Sequence, residues 1–165
     1  MQSQISNFQA EHFFSISSEE ELVQCFRVRD QKKLVLPDNL RYPFNVQSYF
    51  TWKESSGVYT YLVCKMPNWD MPRGVAFKRT PPSGEPTGGL CNWCNAYGSS
   101  EDIGLLTVTM NANVSNSYFI CQDLRCIEKI EESAARGGKS PEKHIHELYH
   151  RMAKLFENIS SYRQD

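Results

Sequence analysis

Apolar and polar positions change period several times along this chain, and each change predicts an element. Ser18 to Arg29 (SEEELVQCFRVR) opens with acids and places Leu22, Cys25, Phe26 and Arg29 on one face, which predicts a short helix. KLVLPDNL then reads as a strand broken by Pro37 and a turn. Aromatic and β-branched residues dominate from Val46 to Trp52, Val58 to Met66 and Val75 to Lys78, predicting three strands. Alternation is clearest in GVYTYLVCKM. There Val58, Thr60, Leu62 and Cys64 point one way, and Tyr59, Tyr61, Val63 and Lys65 the other. Thr80 to Gly89 (TPPSGEPTGG) is a Pro/Gly loop. GLLTVTM, the polar turn NANVSNS and SYFI follow as a hairpin ending at Cys121.

Two helices close the chain. The first is expected from about Asp123, whose carboxylate suits a helix N-terminus, through Leu124, Ile127 and Ile130 to a stop at Gly137-Gly138. The second opens at Ser140-Pro141 and carries an apolar stripe at spacings of three and four: Ile145, Leu148, Tyr149, Met152, Leu155, Phe156 and Ile159. The fold class is therefore α+β, a small, mostly antiparallel sheet with C-terminal helices. Residues 1–18 read as an N-terminal extension, and 19–165 as a single domain with the cysteine-bearing module at about 88–136.

Composition narrows the function. Forty per cent of the 165 residues are apolar, enough for a buried core, and no run reaches the ~20 apolar residues that cross a bilayer. The start, MQSQISNFQAEHFF, has no basic segment followed by an apolar one, so the expectation is a cytoplasmic protein with no membrane partner. A net charge of −1 argues against nucleic-acid binding driven by bulk electrostatics. A local basic stretch remains: Lys65, Arg73, Lys78 and Arg79, with Asp70 its single acid. Solvated strand edge is the plainer reading of it.

Six cysteines are an even number, yet a disulfide framework fits poorly with a chain of this length and no leader. Cys91-x-x-Cys94 and Cys121-x4-Cys126 form two pairs separated by the hairpin. Zinc takes four tetrahedral ligands and favours thiolate sulfur. The first pair chelates from a tight turn; the second straddles a strand end and a helix start. Knuckle, hairpin and ligand-bearing helix make a treble-clef arrangement around one structural zinc ion. A closed four-cysteine site leaves no position for a catalytic water. A redox role for Cys91 and Cys94 is disfavoured because Tyr97-Gly98-Ser99-Ser100, not a helix, follows the motif. Cys25 and Cys64 lie in apolar patterns and read as core thiols.

His146-Glu147-Leu148-Tyr149-His150 matches the H-E-x-x-H pattern of zinc proteases. On a helical projection His146 lies roughly 120° and His150 roughly 160° from the centre of the apolar stripe, so both face solvent. No further Cys or His follows. With no Gly-rich phosphate loop, serine elbow or persuasive carboxylate pair, an enzyme is not expected and no catalytic residue is assigned.

Gly89-Leu90-Cys91-Asn92-Trp93-Cys94 and Tyr118-Phe119-Ile120-Cys121-Gln122-Asp123-Leu124-Arg125-Cys126 resemble the C-terminal treble-clef zinc finger of the elongation-factor-G-binding proteins, a family that includes the fusidic-acid-resistance proteins. Leu36-Pro37, the aromatic stretch ending at Trp52 and the final Leu155-to-Ile159 segment extend the resemblance over roughly residues 20 to 160. It implies a module of translation that binds elongation factor G through its zinc-bearing lobe and modulates the factor's release from the ribosome; a monomer is expected. Carried onto this sequence, the partner-binding candidates are Trp93, Tyr118, Phe119, Arg125 and, more weakly, Phe156. Trp93, between two ligands, is expected to be the most exposed of them, and Phe156 to be core. The resistance proteins carry a helical bundle ahead of the zinc domain. About twenty residues precede the matching region here, so binding of the factor does not by itself imply its displacement, and drug resistance is not inferred. The competing function is a zinc-dependent RNA or ribosome binder using the Lys65-to-Arg79 stretch and Arg125.

Overall fold

A computed structural model describes residues 10–81 and 88–163. The chain divides into two compact units, one up to Phe77 and one from Lys78 onward.

In the first unit, β1 (Phe14–Ile16) pairs antiparallel with β2 (Phe44–Val46), Ser15 opposite Asn45. Two short helices follow β1: α1 (Glu19–Gln24) and α2 (Val28–Gln31). Ser18 caps α1 by accepting the Glu21 N–H at 3.2 Å, while the Glu21 carboxylate reaches back to the Ser17 N–H at 2.6 Å. The single helix expected over 18–29 is broken at residues 25–27, because Arg27 is extended (φ −60°, ψ 150°). Its apolar face survives the break: Leu22, Cys25 and Phe26 are all buried. KLVLPDNL forms no strand. Its leucines pack against the core as irregular chain, and its backbone serves side chains instead: the Val35 carbonyl accepts Trp52 Nε1–H at 2.8 Å and the Lys33 carbonyl the Tyr61 hydroxyl at 3.1 Å.

β3 (Tyr49–Lys53) and β4 (Tyr59–Cys64) form an antiparallel hairpin with Thr51 opposite Leu62, and β5 (Arg73–Arg79) lies beside β4. The core gathers Phe14, Ile16, Leu22, Phe26, Val46, Tyr61 and Val63, bordered by Phe44, Phe50, Trp52 and Tyr59. Tyr61 stacks on Trp52 at 5.0 Å and meets Phe26 edge-on at 5.9 Å. Both faces of β4 are covered, since Leu62 and Cys64 are as inaccessible as Tyr61 and Val63. Phe14 and Ile16, from the stretch read as an extension, belong to this core. His12 is also buried, its Nδ1 2.9 Å from the Lys65 carbonyl.

In the second unit the last residues of β5, Lys78 and Arg79, pair with Thr107 and Leu106 of β8 (Ile103–Thr109). β8 pairs antiparallel with β9 (Ser115–Cys121) along its whole length, from Ile103 opposite Cys121 to Thr109 opposite Ser115. Asn111 closes the hairpin by accepting the N–H groups of Asn113 and Val114, both at 2.9 Å. β6 (Gly89–Leu90) and β7 (Tyr97–Gly98) form a two-stranded ribbon. Helices α3 (Cys126–Arg136) and α4 (Glu142–Ser161) complete the unit and pack on each other. α3 stops where expected, with Gly138 at φ +64° and the Lys139 N–H on the Ala134 carbonyl at 2.9 Å. All seven stripe residues of α4 are buried. The Pro/Gly loop expected over 80–89 lies largely outside the described residues. No described helix is long and apolar enough to cross a membrane.

Candidate metal centre

The four clustered cysteines come from three places in the second unit. Cys91 and Cys94 occupy the turn between β6 and β7. The Cys91 N–H bonds the Ala96 carbonyl at 2.9 Å, the Asn95 N–H bonds the Cys91 carbonyl at 2.8 Å, and Asn95 takes a left-handed φ of 62° to close the knuckle. Cys121 ends β9. The next residues turn sharply, with Leu124 at φ 57° and its N–H on the Cys121 carbonyl at 3.1 Å, so that Cys126 becomes the first residue of α3. The helix thus starts three residues later than Asp123 suggested. The left-handed Leu124 interrupts it, and Asp123 acts from outside by accepting the Arg125 N–H and the Lys129 ammonium, each at 3.0 Å.

These elements are held to one another. The Asn92 N–H bonds the Phe119 carbonyl at 2.9 Å, tying knuckle to β9. Arg151 of α4 donates to the Trp93 carbonyl at 2.6 Å. A β-carbon on Gly89 would stand 2.6 Å from the Phe119 ring, so only glycine lets the ribbon lie this close to β9.

All four Sγ atoms lie within 4.8 Å of one another. Cys91 and Cys126 are 3.8 Å apart, Cys94 and Cys121 3.6 Å. Sulfurs bound tetrahedrally to zinc at ~2.3 Å stand about 3.8 Å from each other. The donor set and spacing therefore fit one zinc ion. Cys91, Cys121 and Cys126 are at most 1 % exposed, whereas Cys94 is half-buried. The Cys91 sulfur accepts the N–H groups of Trp93 (3.3 Å), Cys94 (3.4 Å) and Cys121 (3.3 Å). Hydrogen bonds from the Cys121 thiol, then from Cys126 and Cys94, hold Cys91 far below the ordinary thiol range. Cys126 is pushed above it by its contacts with Cys121 and then Cys91. Zinc removes this inequality, because each cysteine ligates as the thiolate. Burial works against the Lys129 charge, but bonds to Asp123 and the Cys121 sulfur outweigh it and keep the ammonium protonated beyond its usual range. Lys129 thereby offsets part of the negative charge that four thiolates leave on a divalent ion.

The other two cysteines behave differently. Cys25 and Cys64 are buried in the first unit, and burial pushes the Cys25 thiol up to about 12, with the Glu21 charge adding to it. Cys64 is raised further, again by burial.

The partner-binding candidates separate. Trp93 is 5 % exposed, which corrects the expectation that it is the most exposed of them. Its indole is buried while Arg151 of α4 holds its carbonyl. Phe156 is buried on the α4 stripe. Tyr118 shares the face of Leu106, its partner across β8 and β9, and its hydroxyl is enclosed. Phe119 is half-buried and pairs with the exposed Leu105; Arg125 is exposed, 4.0 Å from Glu128. Sequence reasoning missed Leu90 and Tyr97, cross-strand partners in the ribbon that are 56 % and 77 % exposed. Their place next to Cys91 and Cys94 was the available signal. The histidines of the H-E-x-x-H segment face solvent, and Glu147 contacts His144 at 3.5 Å and Arg151 at 4.0 Å.

The comparisons with known proteins agree with this geometry. Residues 19–164 match the family described as FBP C-terminal treble-clef zinc-finger. The chain belongs to that family. Neither a curated protein nor a solved structure gives a significant match. Family and donor set together make this a treble-clef zinc-binding protein with one zinc site.

Proposed function

We propose that Cys91, Cys94, Cys121 and Cys126 ligate a structural zinc ion and that the lobe they organise is a non-enzymatic module binding elongation factor G. The observation carrying this reading is the family match across residues 19–164. The likeness of the two cysteine blocks to elongation-factor-G-binding proteins supports the choice of partner. On this reading the protein acts in the cytoplasm as a monomer and modulates the factor's release from the ribosome.

The contact surface follows from exposure. Leu90, Tyr97 and Leu105 are large apolar residues left in solvent on the zinc lobe, and Phe119 and Arg125 join them as accessible candidates. Aromatic and arginine side chains carry a disproportionate share of binding energy at protein interfaces. Titrating purified elongation factor G into the zinc-loaded protein tests the reading. Binding that survives moderate salt and nuclease, and that Tyr97→Ala weakens by about 2 kcal/mol, supports it. Absence of binding at low salt overturns it. Capture of RNA alone, lost with salt, would favour the nucleic-acid alternative.

A further inference from the structure

Three of the four cysteines are closed to solvent, and the fourth opens onto a cavity. Cys94 is the half-buried member of the set. It lines a cleft of about 410 Å³ with Asn95, Ala96, Lys129, Lys139 and His144. Every ordinary titratable side chain on that lining is basic. The cleft belongs to the second unit alone, walled by the knuckle, α3 and the turn into α4.

Access is not the only difference. Three backbone N–H groups drain electron density from the Cys91 sulfur. Cys94 accepts one backbone N–H, from Ala96. A thiolate with fewer donors keeps more of its nucleophilicity, and oxidation of cysteine follows thiolate character and exposure. The Cys94 sulfur lies 3.6 Å from that of Cys121.

We propose that Cys94 is a peroxide-sensitive modification site whose oxidation ejects the zinc. This rests on the zinc reading given above. A hydroperoxide enters the cleft and the Cys94 thiolate attacks its terminal oxygen. The S–O bond forms as the O–O bond breaks; the sulfur is oxidised to the sulfenic acid and hydrogen peroxide is reduced, leaving hydroxide. The Cys121 thiolate then attacks the Cys94 sulfur, forming the disulfide and expelling a second hydroxide. Two protons from solvent convert both hydroxides to water. Only Cys91 and Cys126 would then remain to hold zinc, so the ion would be released and the lobe that presents Leu90, Tyr97 and Phe119 would lose its organising centre.

The test begins by measuring zinc in the purified protein. Equimolar hydrogen peroxide is then added with a chromogenic zinc chelator present, and early products are mapped by thiol alkylation and peptide mass spectrometry. One zinc equivalent should be released, with a Cys94–Cys121 disulfide as the first product and Cys25 and Cys64 still reduced. First oxidation at Cys91 or Cys126, or release no faster than in the chelator alone, overturns the proposal while leaving the zinc site intact. Protein purified from zinc-supplemented culture without zinc overturns both. Cys94→His keeps a donor set that structural zinc sites use and should make release peroxide-insensitive; release at the wild-type rate overturns the proposal. Should that variant fail to hold zinc, the wild-type peptide map still decides.

Discussion

The two units bury cysteines in opposite chemical surroundings. In the residues up to Phe77, Cys25 and Cys64 are buried outside the four-cysteine cluster, and desolvation keeps them protonated. In the residues from Lys78, four cysteines converge to within 4.8 Å, and the backbone supplies N–H donors to their sulfur. The first unit coheres through an aromatic core in which Trp52, Tyr61 and Phe26 touch ring to ring. The second has a buried helix stripe of its own, yet its knuckle, ribbon and helix start meet at the cysteines. The same residue type is thus a small hydrophobe in one unit and the structural joint of the other. The neighbours decide which.

That contrast can be broken most severely at the metal. Cys126→Ser removes one ligand from a site whose zinc contributes on the order of 10 kcal/mol in comparable fingers, as large as the whole stability of a typical domain. Loss of bound zinc by metal analysis and a collapse of the melting transition are expected. An unchanged Tm with zinc retained would end the structural-zinc reading. Phe26→Ala is the matching blow to the first unit. Removing a ring 3 % exposed should cost about 3–5 kcal/mol, read by chemical denaturation, while zinc content stays at one equivalent before unfolding. Zinc loss in step with the destabilisation would mean that the units do not separate as described.

Gly89→Ala probes the second unit without touching a ligand. Its β-carbon would stand 2.6 Å from the Phe119 ring, and overpacking of this kind costs about 1–3 kcal/mol. A variant as stable as the parent would show that the ribbon can move off β9. Alkali separates the cysteines by sign. Folded Cys25 holds its proton to about 12, whereas its ordinary value is 9.0. Its contribution to stability is therefore complete below pH 9 and lost as the pH rises towards 12. Cys25→Ala should flatten the alkaline arm of a denaturation series, and an identical arm would remove the desolvation argument. Acid acts the other way on the metal centre, since protonation of thiolates releases zinc as the pH falls. The smallest effect belongs to His150→Ala. This solvent-facing residue should change stability by less than about 0.5 kcal/mol and leave zinc stoichiometry unchanged; loss of an equivalent would reopen the H-E-x-x-H segment as a metal site.

Much of the second unit could be read from sequence because its signals are local. The α4 stripe is a repeat of three and four, and a helix has one way to bury it; all seven residues are inside. Gly137-Gly138 ends α3 because a left-handed residue suits glycine. The cysteine pairs could be placed on a turn, a strand end and a helix start, since each position is defined by residues within a few places of it. The first unit was harder. Residues 18–29 kept helical periodicity through a break that the extended Arg27 makes, and KLVLPDNL carried strand composition into irregular chain whose carbonyls serve Trp52 and Tyr61. Phe14 and Ile16 gave little local pattern, and only pairing with β2 and burial among distant residues brings them into the core.

What the sequence alone determined was the donor set, the stripe and the stops, for these depend on side-chain chemistry and on spacings along one chain. Which way Trp93 faces, which sulfur opens onto a cleft, and which apolar residues are left in solvent were decided by tertiary structure. The residues next to Trp93 in the knuckle carry no signal for the side its indole takes. That side is set by Arg151 holding the Trp93 carbonyl from fifty-eight residues away and by β9 closing over the ribbon. Contacts between remote residues leave no period in the sequence, and burial, unlike ligand chemistry, is a property of the neighbours.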